Sequence, residues 1–193
     1  MKLPPVLSSR HKEAIFLMKR MLCVLLTLLL CAASAQADAV LDTVDYDNAA
    51  EISTKSQDGL YLYVVLEDGT AGITGYLGDE TALVIPSVVD DLSVTAIGAY
   101  AFEYAALTSI VIPEGVTVID RKAFAAALAL KEITLPSTLR EIGEEAFIGC
   151  ALEKVTLPEG VETLGERAFS CCGQLKTITL PNTLRRMGYG VFA

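Results

Sequence analysis

One spacing constrains this chain more than any other. Prolines fall at 86, 113, 136, 158 and 181, and phenylalanines at 102, 124, 147, 169 and 192. Proline precedes phenylalanine by eleven residues in the last four units. The first unit has sixteen, with its extra residues around Val88 to Ser93. The stretch from Leu130 to Cys150 (LKEITLPSTLREIGEEAFIGC) is rewritten from Leu152 to Cys172, and with small edits from Leu107 to Ala127 and from Leu175 to Ala193. A fixed period in the low twenties predicts a solenoid of short stacked units, none of which can bury its own apolar face.

Each part of the unit has a physical task. Ile110-x-Ile112, Ile133-x-Leu135, Val155-x-Leu157 and Ile178-x-Leu180 alternate as short strands with one buried face. The proline after each pair ends the strand, because it has no N–H to give to a ladder. Val116, Leu139, Val161 and Leu184, then Ile119, Ile142, Leu164 and Met187, are expected in the core. Glycine follows at 98, 143, 165 and 188, with Asp120 in its place once. Aspartate tolerates a left-handed backbone, so this column is expected to need a positive φ. The phenylalanines are expected to stack into a spine, each ring contributing roughly 1.5–3 kcal/mol on burial.

Ahead of the repeat, Leu60 to Leu66 and Ala71 to Leu77 read as two strands around Glu67-Asp68-Gly69-Thr70, and Asp-Gly signals a hairpin turn. This hairpin is expected to cap the array, because a bare terminal unit exposes core and an unpaired edge. Thr81 to Ile85 reads as the next strand. Asp38 to Asp58 has no sustained period and reads as an acidic lead-in. Asp79, Glu80, Asp90 and Asp91 lack the alternating oxygen ligands of a calcium loop and read as solvated turn residues.

The N-terminus has the order of a secretory signal peptide. Lys19 and Arg20 precede an apolar run from Met21 to Ala33, followed by small residues. Cleavage is expected after Ala37, with Ala35 as the second choice, and translation is expected to start at Met18. The run is too short to span a bilayer comfortably. Removing 37 residues leaves 10 basic and 23 acidic residues of the original 15 and 24. A body this acidic repels phosphate backbones, so nucleic acid is not an expected partner. The single histidine, His11, leaves with the leader. Histidine-dependent triads and imidazole zinc sites are thereby excluded from the mature chain. No nucleotide, zinc or serine-hydrolase motif is present. The expectation is a protein without catalytic residues, metal or cofactor.

The unit of strand, proline, turn and Ala-Phe resembles the BspA-like leucine-rich repeat family, from about Leu60 to Ala193. The resemblance implies an α/β repeat solenoid, a right-handed coil with a parallel β-sheet on its concave face. It also implies a secreted or surface-exposed protein used in adhesion and in protein or host-matrix binding. The domain reading is therefore 1–37 leader, 38–59 lead-in and 60–193 solenoid, with about five units of 22–27 residues and the last one incomplete. The stop at Ala193, one residue past the last phenylalanine, is expected to mark a truncated chain.

Ser109, Glu132, Lys154 and Thr177, and beside them Thr134, Thr156 and Thr179, are expected on the outward face of the strands. They are the candidate binding residues for a protein or glycan, and such positions also suit threonine on propensity alone. The family often has cysteine three residues after phenylalanine; here those positions are Ala105, Ala127, Cys150 and Cys172. Neighbouring units place Cys150 and Cys172 within reach of a disulfide. Two free buried thiols are the preferred reading, because the position also accepts alanine. Cys171 is expected to be exposed. Arg185 and Arg186 are expected opposite Glu166 and Arg167 on a solvated face, and the pair Glu144-Glu145 reads as exposed helix-turn or loop residues. Two readings of function stand: a non-enzymatic extracellular binding module, or a structural spacer of a longer protein.

Overall fold

A computed structural model describes residues 53–193, all within the unit Asp45–Ala193. The proposed leader and most of the lead-in lie outside the described residues. The strands are β1 (Thr54–Lys55), β2 (Tyr61–Val65), β3 (Ala71–Tyr76), β4 (Ala82–Val84), β5 (Val88–Val89), β6 (Leu92–Ile97) and β7 (Ser109–Val111). They continue as β8 (Val118–Ile119), β9 (Glu132–Thr134), β10 (Glu141–Ile142), β11 (Lys154–Thr156), β12 (Thr163–Leu164), β13 (Thr177–Thr179) and β14 (Arg186–Met187).

Every full unit contributes two strands. The first, just ahead of the proline, belongs to a front ribbon of parallel strands, β4-β7-β9 and then β11-β13. The second, ahead of the glycine column, belongs to a continuous back ribbon, β3-β6-β8-β10-β12-β14. The N-terminal end of the back ribbon is antiparallel: β1 pairs with β2, and β2 with β3. The end of the lead-in thus joins the fold, with Ser56 buried and its hydroxyl bonded to the Tyr61 backbone at 2.9 Å. The extra residues of the first unit form the small hairpin β5–β6, turned by Asp90 and Asp91 at φ 47° and 65°. Two successive positive φ values are the geometry of a tight hairpin turn.

The α/β expectation is corrected: among the described residues there is no helix. The stretch around each Ala-Phe is a chain of turns, and its backbone explains why. Two residues past the glycine column, φ is positive at Tyr100, Lys122, Glu145, Arg167 and Gly190. Four residues further on, it is positive again at Tyr104, Ala126, Gly149 and Cys171. A helix needs an unbroken run of negative φ, and two inversions per unit forbid it. The amides instead bond to the next unit: Lys122 N–H to Glu144 O at 2.9 Å, Phe124 N–H to Ala146 O at 2.8 Å and Ala126 N–H to Ile148 O at 2.8 Å. These three bonds recur from unit to unit and give the turns their own inter-unit ladder.

The core is one column per repeat position. Phe102, Phe124, Phe147 and Phe169 are buried and stack face to face at 5.1 Å between centroids, within 9° of parallel. Tyr76 continues the spine at one end and Phe192 at the other. Val116, Leu139 and Val161, with Ile119, Ile142 and Leu164, are buried as expected, whereas in the last unit Leu184 is half-buried and Met187 is exposed.

The glycine column overturns its expectation. Gly98, Gly143, Gly165, Gly188 and Asp120 all lie outside the positive-φ residues. At Gly143, Gly165 and Gly188 the stacking needs the absence of a side chain. A Cβ on Gly165 would lie 2.4 Å from Glu144 N and Gly143 C, and one on Gly188 would lie 2.4 Å from Glu166 N. The backbone of the preceding unit occupies the space, so the glycine sets how closely the units stack. Asp120 carries a Cβ there, and its Oδ1 accepts the Arg121 amide at 2.6 Å.

Candidate functional site

The front ribbon presents the sequence-predicted residues. Because a strand alternates faces, Leu83, Ile110, Ile133, Val155 and Ile178 turn inward and their neighbours turn out. Pairing then sets them in register. Ser109 lies beside Glu132 and Val111 beside Thr134; Lys154 lies beside Thr177 and Thr156 beside Thr179. Glu132, Thr134, Lys154, Thr156, Thr177 and Thr179 are exposed, and Ser109 is half-buried. The ladder does not join Glu132 to Lys154 or Thr134 to Thr156, because β9 and β11 are not paired.

Two further residues share this face. Val84 and Val111 occupy the column that becomes threonine at 134, and they are 68% and 36% exposed. The face therefore runs from apolar at β4 and β7 to hydroxyl-bearing at β9 to β13. Glu153 and Lys176, each just ahead of its strand, pair at 3.4 Å. The face carries mixed charge, small hydroxyls and two valines. Such a surface can hydrogen-bond an extended partner, whereas a pocket that encloses a small molecule needs concavity.

A depression of about 380 Å³ is lined by Gln57, Asp58, Pro86, Val88, Val89, Asp90 and Asp91. Its carboxylates serve the fold. Asp90 accepts from Gln57 N–H and from the Tyr63 hydroxyl, each at 3.0 Å. Asp58 accepts from the Ser56 hydroxyl and the Leu60 amide, and these bonds hold its carboxyl below the usual range. Among the described residues no cluster of cysteine, histidine or carboxylate could hold a metal ion.

Among the described residues, Cys150, Cys171 and Cys172 are free thiols. Cys150 is buried and donates to Phe124 O at 3.1 Å; Cys172, half-buried, donates to Phe147 O at 3.1 Å. Each thiol thus ties its turn to the phenylalanine of the preceding unit. Burial pushes the Cys150 thiol far up and the Cys172 thiol to about 11. A thiol kept neutral in this way is a poor nucleophile. Cys171 is exposed.

The charged back of the molecule is arranged differently from the sequence reading. Arg185 pairs with Glu162 at 3.7 Å, and Arg186 donates to the Thr163 hydroxyl at 3.1 Å, so neither faces Glu166 or Arg167. Glu145 is not a free surface carboxylate. Its side chain is 14% exposed and lies between Lys122, at 3.1 Å, and Arg167, at 3.7 Å. Lys122 also sits 5.9 Å from the Tyr100 ring centroid. This row follows the positive-φ column, which aims successive side chains along the stack.

Fold and face together define a β-solenoid repeat protein that offers a surface. The match is to the BspA type leucine rich repeat region, six copies over residues 95–193, and the chain belongs to this family. Among curated proteins, none matches. Solved structures do. The Treponema pallidum leucine-rich repeat protein is 33% identical, covers 72% of this chain and 66% of its own, and superposes with a TM-score of 0.68. A leucine-rich repeat protein from Bacteroides capillosus is 34% identical over 66% of this chain and 97% of its own, with a TM-score of 0.59. A leucine-rich cell surface protein from Faecalibacterium prausnitzii is 27% identical, with 73% and 52% covered and a TM-score of 0.52. The chain thus spans just under two thirds of the first of these relatives and about half of the third.

Proposed function

We propose that this chain is an exported binding module whose front ribbon recognises an extracytoplasmic protein. The observation that carries the reading is the pair of outward columns on that ribbon. Glu132, Thr134, Lys154, Thr156, Thr177 and Thr179 are exposed, and the core beneath them is complete without their side chains. A glycan is the second candidate ligand, since hydroxyl and charged side chains suit sugar hydroxyls too. The leader with Lys19-Arg20, Met21–Ala33 and cleavage after Ala37 or Ala35 supports export. So does the likeness to a protein described as a cell surface protein. The net negative body argues against nucleic acid. The β2–β3 hairpin acts as the N-terminal cap: it pairs the outer edge of β3 and blunts the sheet.

Residues 38–193 immobilised against extracellular-matrix proteins and a glycan array test this at physiological salt. Retention of a protein is the expected result, abolished by Thr134→Arg with Thr156→Arg at unchanged far-ultraviolet circular dichroism. A folded chain that retains nothing in either format overturns it and leaves the other reading, a structural spacer within a longer surface protein. The regular, mostly structural hydrogen bonding between units favours that alternative.

A further inference from the structure

The units differ in pairs. From phenylalanine to the next proline the count alternates 11, 12, 11, 12, because Leu107 and Leu152 follow their phenylalanines by five residues and Leu130 and Leu175 by six. The residues after proline alternate in phase: Glu114-Gly115-Val116, Ser137-Thr138-Leu139, Glu159-Gly160-Val161, Asn182-Thr183-Leu184. The true period of the array is thus 45 residues, a short-loop unit followed by a long-loop unit.

Hydrogen bonds clasp the two units of each pair. Glu114 accepts the Ser137 amide at 3.0 Å and its hydroxyl at 2.9 Å; Glu159 accepts the Asn182 amide at 3.0 Å. Thr138 accepts the Gly115 amide at 3.0 Å and donates to Val116 O at 2.8 Å. Thr183 repeats this on Gly160 and Val161 at 2.9 and 3.0 Å. Between pairs the junction changes. Ile112 N–H bonds to Thr134 O and Leu157 N–H to Thr179 O, each at 3.0 Å. Leu135 N–H, at the equivalent place between β9 and β11, has no such bond to Thr156. The burial agrees: Ile110, Ile112, Val155 and Leu157 are buried, whereas Ile133 and Leu135 are half-exposed. On its β11 side, β9 keeps one front-face bond, from Glu153 N–H to Lys131 O at 3.3 Å, and Leu135 is less exposed than Leu180 of the terminal unit. The back ribbon and the phenylalanine stack cross the same junction unbroken.

We infer that the repeat array is built from two-unit blocks, and that the front ribbon opens as a hinge between β9 and β11. Within each block the strands pair across a long loop, and the unpaired junction is spanned by the short loop from Phe147 to Leu152; β4 and β7 stay paired across the short loop from Phe102 to Leu107, so loop length alone does not set the pairing. The binding face is thereby bipartite. Ser109, Glu132 and Thr134 sit on one block; Lys154, Thr156, Thr177 and Thr179 sit on the other. On the front face, opening there breaks one backbone bond, Glu153 N–H to Lys131 O at 3.3 Å, while the back ribbon remains as the pivot.

Residue-resolved amide exchange on the full chain tests this without reference to any ligand. Leu135 is expected to exchange at least about tenfold faster than Ile112 and Leu157, as befits an amide released by local opening. Glu159→Gln is expected to speed Asn182 within its block and leave Leu135 unchanged. Equal protection at Leu135, Ile112 and Leu157 overturns the hinge. Fast exchange at all three, or a response of Leu135 to Glu159→Gln, overturns the block organisation.

Discussion

Replacing Gly165 separates the two explanations of the glycine column. A left-handed position accepts asparagine better than alanine, because asparagine tolerates positive φ. A position without room for a Cβ rejects both. At Gly165 the added carbon would meet Glu144 N and Gly143 C at 2.4 Å, and Glu144 Cα at 2.8 Å. These are backbone atoms of the preceding unit, fixed by the Gly165 amide bonding to Ile142 O at 2.7 Å. Relief to ordinary contact near 3.5 Å requires the two units to part by about 1 Å. Parting loosens the phenylalanine stack on one side and that bond on the other. The expected loss is about 2–3 kcal/mol for Gly165→Ala, the upper part of the range for overpacking. Gly165→Asn is expected to cost at least as much. Gly173, which has nothing within 4 Å of an added Cβ, is the control. Gly173→Ala is expected to change stability by less than about 1 kcal/mol.

The assay is urea denaturation followed by circular dichroism, with midpoints compared at equal slope. A loss of 2–3 kcal/mol corresponds to a melting temperature lower by roughly 4–12 °C for a chain of this size. If Gly165→Asn proves clearly more stable than Gly165→Ala, the close-approach argument is refuted. If Gly165→Ala matches Gly173→Ala, it fails outright.

Four further outcomes follow from the same geometry. Phe147→Ala, at the centre of the stack, is expected to cost about 3–5 kcal/mol by calorimetry, and more than Phe192→Ala at the exposed end. Thr138→Val removes the acceptor of the Gly115 amide and is expected to cost about 1 kcal/mol in urea denaturation. The buried thiols give a pH dependence of stated sign. Cys172 titrates near 9 when unfolded and near 11 when folded, so its contribution is complete below pH 9 and is lost as pH rises towards 11. Across that window the wild type is expected to lose about 2–3 kcal/mol more than Cys172→Ala. Alkylation at pH 8 read by mass spectrometry is expected to mark Cys171 first, and Cys150 only once the chain unfolds.

The sequence revealed whatever repeats within one side chain's reach of its own backbone. Alternation ahead of each proline located β7, β9, β11 and β13, and the regular phenylalanines located the spine. It misled where two causes leave one trace. A glycine column looks the same whether the backbone needs a positive φ or the neighbouring unit needs the space, and Asp120 tipped the reading the wrong way. The positive-φ positions themselves carry Lys122, Glu145 and Arg167, which look like ordinary turn or helix residues. Only the inter-unit amide bonds to Glu144, Glu166 and Tyr189 show what holds them there. The ion pairs of Glu145 were hidden for the same reason: their partners are 22 or 23 residues away, beyond any local pattern. The candidate face was legible as two columns of outward residues. Its division was not, because the pairing missing between β9 and β11 concerns strands a whole repeat apart and leaves no local pattern.

The alternation of loops has a consequence for how such a chain can change length over generations. A duplication or loss of 45 residues returns short loop to long loop, Glu114-like carboxylate to Ser137-like amide, and every clasp finds its mate. A change of 22 or 23 residues sets two like units side by side, with two carboxylates or two threonines facing each other and one partner missing. Array lengths in descendants of this gene are therefore expected to differ by whole pairs, and odd numbers of units to survive only where an end unit, like that of Pro86 with its β5–β6 hairpin, has abandoned the clasp.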